Sequence, residues 1–266
     1  MKVGFIGAGN MGGALARATA KAVVSQDICV SDKFTDKAEA LAAELGCRSV
    51  TAREAAESCG LLFLGVKPQM MAELLEQIKP VLEARNDPFV LVSMAAGVAM
   101  ADIRRMAGAD YPVIRIMPNT PVSVGKGMVL YDVTENVSAG AVEAFCACMR
   151  FAGRLDPLPE KLIDAGSAVS GCGPAFACLF LEALADGGVA CGLPREKAME
   201  YAAQTLLGTA ALALESGAHP AQLKDAVCSP GGSTIAGVRA LERGGFRAAA
   251  MNAVEDAFCR TKELGK

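Results

Sequence analysis

Lys2-Val3-Gly4-Phe5-Ile6-Gly7-Ala8-Gly9-Asn10-Met11-Gly12 decides the fold. Its first five residues have the apolar character of a buried strand. They pass without a break into G-x-G-x-x-G and then into apolar residues at helical spacing over 14–22. A strand, a tight glycine turn and a helix in that order form a cradle for a pyrophosphate. The first glycine permits the turn, the second lets backbone approach the phosphates, and the third lets the helix pack close to the strand. The phosphates then face the unpaired N–H groups and positive end of the helix. The implied ligand is a dinucleotide.

Working outward, residues 27–31 form a second strand that ends at Asp32-Lys33. Asp32 stands 20 positions beyond Gly12, where an acidic side chain accepts from a ribose 2′-hydroxyl. Ser31 and Lys33 suit a 2′-phosphate, and capping of a helix that starts near Asp36 is an equally good use of Asp32. A helix over 36–45, a short apolar segment near Val50 and a helix over 53–58 follow. Leu61-Leu62-Phe63-Leu64-Gly65-Val66 is a continuous apolar run, as expected of a strand covered on both faces. Lys67 ends it, at the carboxyl end of such a strand, where open α/β sheets bind ligands. The alternation continues with a helix over 69–82, a strand over 89–94, a helix over 101–106 and a strand over 112–117 that runs into Pro118-Asn119-Thr120-Pro121. Small residues there leave room for a bound ring. The pattern implies an α/β domain, with a parallel sheet between helices and right-handed crossovers. Segments 129–131, 139–151 and 154–158 close it.

From Pro159 the strand pattern ends, and Ala and Leu at helical spacing dominate to residue 266. Prolines 174, 194 and 220 open helices, and glycines 192, 217, 244 and 245 stop them. Around the helix that begins at Pro194, apolar residues occur nearly all round. Such helices expose apolar patches unless a second copy covers them, so a homo-oligomer is expected.

A formal charge of −3 and the lack of any long basic run argue against a nucleic-acid surface. The ten cysteines are scattered without a C-x-x-C, which predicts buried free thiols rather than a disulfide scaffold. The longest uncharged stretch, 165–181, is interrupted by glycines and a proline and is too short to span a bilayer. A strand beginning at residue 2 leaves no room for a leader, so a cytoplasmic protein without a membrane segment is expected. The single histidine, His219, precedes Pro220 as a surface turn residue. That removes His-based metal sites and a Ser–His triad, and no metal is expected.

Two glycine-rich turns interrupt the helical half, Ser170-Gly171-Cys172-Gly173-Pro174 and Ser229-Pro230-Gly231-Gly232-Ser233-Thr234. Each precedes a helix and offers unpaired N–H groups to an anion such as a carboxylate, and the second adds the hydroxyls of Ser233 and Thr234. Simple helix capping by these hydroxyls is the plainer alternative.

With Val66-Lys67-Pro68-Gln69, Ala95-Ala96-Gly97-Val98, Met117-Pro118-Asn119-Thr120-Pro121 and Leu223-Lys224-Asp225-Ala226-Val227-Cys228, these segments make the sequence resemble the pyrroline-5-carboxylate reductase family over essentially its whole length. The resemblance implies a Rossmann-type parallel-sheet domain over 1–158 and an all-helical substrate-binding and dimerisation domain over 159–266. It implies NADH- or NADPH-dependent reduction of 1-pyrroline-5-carboxylate to L-proline by a homodimer that in the family often assembles into a decamer. By the same likeness Ile6, Gly7, Ala8, Gly9, Asn10 and Met11 hold the phosphates, while Ser31 and Lys33 lie by the 2′ position. Val66, Lys67, Met94 and Ala96 line the nucleotide. Gly232, Ser233 and Thr234 would hold the substrate carboxylate, Thr234 would be the catalytic hydroxyl on the ring nitrogen, and Glu160 would lie near the substrate. Hydride transfer to a protonated imine needs orientation rather than a strong acid, consistent with a chain that has one histidine. Cys172, Phe176 and Ser233 depart from the family's usual serine, tyrosine and alanine or threonine. A 3-hydroxyacid dehydrogenase shares the two-domain plan but uses a lysine that 170–176 does not supply, and a non-catalytic nucleotide-binding module would share the fold.

Overall fold

The computed structural model describes residues 1–264 and divides into two compact units. One comprises Met1–Cys172 with the residues from Ala257 onward, and the other is Gly173–Asp256.

The first unit is built on one eight-stranded sheet. Its strands are β1 (Val3–Ile6), β2 (Ile28–Ser31), β3 (Arg48–Ser49), β4 (Leu61–Leu64), β5 (Val90–Ser93), β6 (Val113–Met117), β7 (Gly127–Val133) and β8 (Gly153–Pro157). They lie in the order β3-β2-β1-β4-β5-β6-β7-β8, and the first six are parallel. The order reverses around β1, which places a crevice at the carboxyl ends of β1 and β4. β7 runs antiparallel to β6, and β8 is parallel to β7. Only the 3-10 segment Thr120–Val124 separates β6 from β7, too little chain for the crossover that a parallel neighbour requires.

The helices α1 (Asn10–Ala20), α2 (Thr35–Leu45), α3 (Ala52–Ser58), α4 (Met71–Ala84), α5 (Met100–Ala107) and α6 (Ala139–Met149) follow the strands as the apolar periods predict. Successive strand residues point to opposite faces, and the core divides accordingly. Phe5, Val30, Phe63 and Val92 pack with Leu15, Leu41 and Phe145 from α1, α2 and α6. Ile6, Leu62, Leu64 and Leu91 pack with Ala55, Leu75, Ile78 and Ile103 from α3, α4 and α5. Phe5 stacks on Phe63 with ring centroids 4.5 Å apart. A helix not evident as a separate element in the sequence, α7 (Glu160–Ser170), packs Ile163 against Met117 and Leu130.

The second unit contains α8 (Gly173–Ala190), α9 (Arg195–Ser216), α10 (Pro220–Ala226), α11 (Ser233–Arg243) and the start of α12 (Phe246–Leu264). α8 and α9 meet through the small buried residues Ala185, Ala198 and Ala202. Leu179, Tyr201, Leu207, Leu214, Ile235 and Met251 remain exposed on the single chain.

All ten cysteines are free, but their expected burial is corrected. Cys29 and Cys59 are buried, with Sγ atoms 3.3 Å apart, whereas Cys178, Cys191 and Cys259 are exposed. These three lie on or next to α8 and α12, whose faces a single chain leaves open. The apolar helical stretch Glu160–Ala190 is long enough by length and composition to cross a membrane, longer than the stretch weighed from the sequence. It is two helices, and the first turns Glu160 and Asp164 toward the buried Arg115.

Phe63 joins β4 to rings on both β1 and α6. Phe63→Ala is expected to lower unfolding free energy by about 3–5 kcal/mol, read from the denaturant midpoint of the purified protein.

Candidate functional site

The glycine turn is fixed by backbone contact. Gly7 has φ 113°, in the region that favours glycine, and a Cβ there would overlap the Gly65 carbonyl. A Cβ at Gly12 would overlap the Gly7 carbonyl oxygen. Gly9 faces open space, with nothing within 4 Å of where its Cβ would stand. It is also the N-cap of α1 and supplies no side-chain cap, and no acidic residue stands in the first turn. The N–H groups of Asn10, Met11 and Gly12 therefore have no partner among the described residues, so this cradle fits a pyrophosphate.

Asp32 holds the cradle against β2. Its Oδ2 accepts from the Ala8 N–H at 2.7 Å and its Oδ1 from the Phe34 N–H at 2.9 Å, while the Gly7 N–H donates to the Ser31 carbonyl at 2.7 Å. The sequence offered Asp32 as a ribose ligand or a helix cap. The geometry adds a role as the pin of the turn, for which the position of an acid just beyond a strand was the available signal.

A cavity of about 600 Å³ opens at the carboxyl ends of β1, β2 and β4. Ile6, Ser31, Asp32, Lys33 and Val66 line it. Lys33 is exposed and its Nζ is 4.0 Å from Glu73 Oε1. Lys67 lies just beyond β4 and is exposed, while Met94 and Ala96 follow β5 and are half-buried; these three lie outside the lining of that cavity.

Glu160 begins α7 and is held on several sides. Its N–H donates to Asp132 Oδ2 at 2.6 Å, and its Oε1 accepts from the Met100 N–H at 2.7 Å and from Arg115 Nη1 at 3.3 Å. Arg115 Nη2 reaches Asp164 Oδ1 at 2.6 Å, and the Arg115 side chain is 4% exposed. Glu160 Oε2 accepts no hydrogen bond among the described residues. Asn119 was missed by sequence reasoning, which saw only small residues after β6. Its Nδ2 donates to the Ser170 carbonyl at 2.9 Å and its Oδ1 accepts from the Met128 N–H at 2.8 Å, which latches the end of α7 to β7.

The two helical-half turns differ. In the first, the Gly171 and Cys172 N–H groups both donate to the Ser167 carbonyl at 2.7 and 3.0 Å, so neither is free. In the second, Gly231 has φ 68°, the Gly232 N–H donates to the Ser229 carbonyl at 3.0 Å, and a Cβ at Gly232 would overlap Ser229 Oγ. Gly232 is the N-cap of α11 and no side chain caps the helix, which sets aside the plain capping alternative for Ser229, Ser233 and Thr234. Ser233 and Thr234 are exposed, and their N–H and hydroxyl groups have no partner among the described residues. His219 is exposed and caps α10, its Nδ1 accepting from the Ala221 N–H at 3.2 Å.

The chain matches the family model for pyrroline-5-carboxylate reductase dimerisation over residues 160–264, and that for coenzyme F420-dependent NADP oxidoreductases over residues 2–97. It is 39% identical over 268 residues to pyrroline-5-carboxylate reductase 3 of Macaca fascicularis, covering 100% of this chain and 96% of that protein. It is 42% identical over 269 residues to pyrroline-5-carboxylate reductase of a Synechocystis strain, covering 100% of this chain and 99% of that one. The crystal structure of Plasmodium falciparum pyrroline carboxylate reductase with NADP bound superposes at TM-score 0.88 and 32% identity, covering 100% and 98% of the two chains. A pyrroline-5-carboxylate reductase structure from Coxiella burnetii superposes at 0.89 with the same identity and coverage.

Asp32→Ala leaves the Ala8 and Phe34 N–H groups without their acceptor. The expected outcome is a loss of about 1–3 kcal/mol in stability, with faster hydrogen exchange at the Ala8 amide than in the parent protein.

Proposed function

Because the chain belongs to the pyrroline-5-carboxylate reductase family, we propose that it reduces 1-pyrroline-5-carboxylate to L-proline, the last step of proline biosynthesis, with NADH or NADPH as hydride donor. The observation that carries this reading is the 229–234 turn. It offers the unpaired N–H groups and hydroxyls of a carboxylate site in a chain whose other end carries a dinucleotide cradle.

Residues 1–158 bind the nucleotide and residues 159–266 bind the substrate and the second subunit, a division supported by the dimerisation match over 160–264. The N–H groups of Asn10 and Met11, at the open Gly9, donate to the pyrophosphate, and Ile6, Gly7 and Ala8 shape the turn around it. Ser31 and Lys33, which line the cavity with Val66, lie by the ribose 2′ position. Lys67, Met94 and Ala96, beyond that cavity after β4 and β5, are assigned with Val66 to the rest of the nucleotide by family likeness. The nicotinamide ring supplies the hydride.

Gly232, Ser233 and Thr234 hold the substrate carboxylate, with the Ser233 and Thr234 N–H groups as donors at the positive end of α11. Thr234 Oγ1 accepts from the N–H of the protonated ring nitrogen and orients the imine carbon for attack. Hydride addition neutralises that nitrogen, so no strong acid is required of the chain. Glu160 is assigned to the substrate by family likeness; its Oε2 accepts no hydrogen bond among the described residues.

The exposed apolar residues of α8, α9 and α11 support a homodimer, with a decamer of the family type as the larger assembly. The formal charge of −3 and the lack of a long basic run support a small-molecule substrate rather than a nucleic-acid partner.

Purified protein is expected to oxidise NADH or NADPH only when 1-pyrroline-5-carboxylate is added, and no turnover with either nucleotide would sink the assignment. Thr234→Ala should lower kcat by about tenfold or more while nucleotide affinity stays near that of the parent; equal losses in both would make Thr234 structural.

A further inference from the structure

The cavity at the ends of β1, β2 and β4 is acidic. Four carboxylates line it, Asp32, Glu39, Glu54 and Glu73, against one cation, Lys33. Two of the four are locked in place. Asp32 receives the Ala8 and Phe34 N–H groups. Glu54 receives the Thr51 N–H at 2.7 Å and the Thr51 hydroxyl at 2.8 Å, and these bonds hold its carboxyl below the usual range. Lys33 is already drawn to Glu73, 4.0 Å away. Arg48 on β3 acts on Glu54 from outside the lining.

A 2′-phosphate would bring roughly two negative charges to this lining. No arginine fork stands among the lining residues to receive it, and a lysine shared with a carboxylate is a weak substitute. A 2′-hydroxyl brings no charge and can donate to a carboxylate oxygen that has lone pairs to spare. We infer that this chain takes NADH in preference to NADPH, and that the acidic lining of this cavity sets the preference. The inference rests on the reading above that the end of β2 meets the adenine ribose.

Steady-state kinetics with 1-pyrroline-5-carboxylate and each nucleotide, at low and at raised salt, test it. NADH is expected to have the higher kcat/KM by about tenfold or more, with the difference in KM, because the repulsion acts on the ribose end of the nucleotide. The gap should narrow with salt, since screening shortens from about 10 Å at 0.1 M to about 3 Å at 1 M. Glu39→Lys and Glu73→Gln should each move the NADH-to-NADPH ratio toward NADPH, by several-fold or more. Equal efficiency within about threefold, or a preference for NADPH, would overturn the inference, and so would a preference indifferent to salt and to both substitutions. If neither nucleotide supports turnover, the reductase assignment fails on its own. Calorimetric titration of NADH and NADPH then still decides the preference: tighter NADH binding upholds it, and equal or tighter NADPH binding overturns it.

Discussion

Three backbone segments touch at one crossing, and the site depends on that contact. Gly7 at the tip of β1, Gly12 in the first turn of α1 and Gly65 beyond β4 come so close that a Cβ on Gly7 or Gly12 would overlap a carbonyl oxygen, and one on Gly65 would stand 3.1 Å from the Gly7 oxygen. Only glycine lets a helix start this near the middle of a parallel sheet. Because Gly9 caps α1 without a side chain, the first N–H groups of the helix remain available to an anion. The second unit repeats the device on α11, where Gly232 caps without a side chain and leaves the amides of Ser233 and Thr234 free.

Carboxylates then fix what the glycines leave loose. Asp32 ties the turn to β2, Asp132 receives the first N–H of α7, and Glu160 reaches from α7 to the start of α5 and to Arg115. Arg115 is buried and shared by Glu160 and Asp164, so removing the arginine leaves two carboxylates without their common cation, whereas removing one carboxylate still leaves the other as its partner. The side chains that look most like chemistry in the sequence thus spend much of their hydrogen-bonding capacity on architecture. Among the described residues, one oxygen of Glu160 and the first amides of α1 in the first unit, and two hydroxyls and the first amides of α11 in the second, keep no partner.

The α/β plan was legible because each strand is a short apolar run and each following helix has its own period; β1, β4 and β6 and their flanking helices fall close to where the pattern puts them. The glycine turn was legible at Gly7 and Gly12, whose roles are steric and belong to glycine alone. α7 was not, because it starts directly after Pro159 and turns Glu160 and Asp164 toward an arginine far away in sequence. Long-range pairing of this kind leaves no local period. The reversal of β7 was hidden for a related reason, since it follows from the shortness of one connection. The pinning by Asp32 and the latch at Asn119 depend on N–H groups that carry no residue identity. The exposed cysteines of α8 and α12 show the converse, apolar character that a single chain does not bury.

In the function proposed, this chain transfers a hydride to the imine carbon of a cyclic imino acid held by its carboxylate. Its most direct test is to run the reaction with cofactor carrying deuterium at both nicotinamide C4 positions and to analyse the product by mass spectrometry. The expected product is L-proline with a single deuterium on the carbon that carried the imine. Unlabelled proline, or consumption of the cofactor without proline, would contradict it.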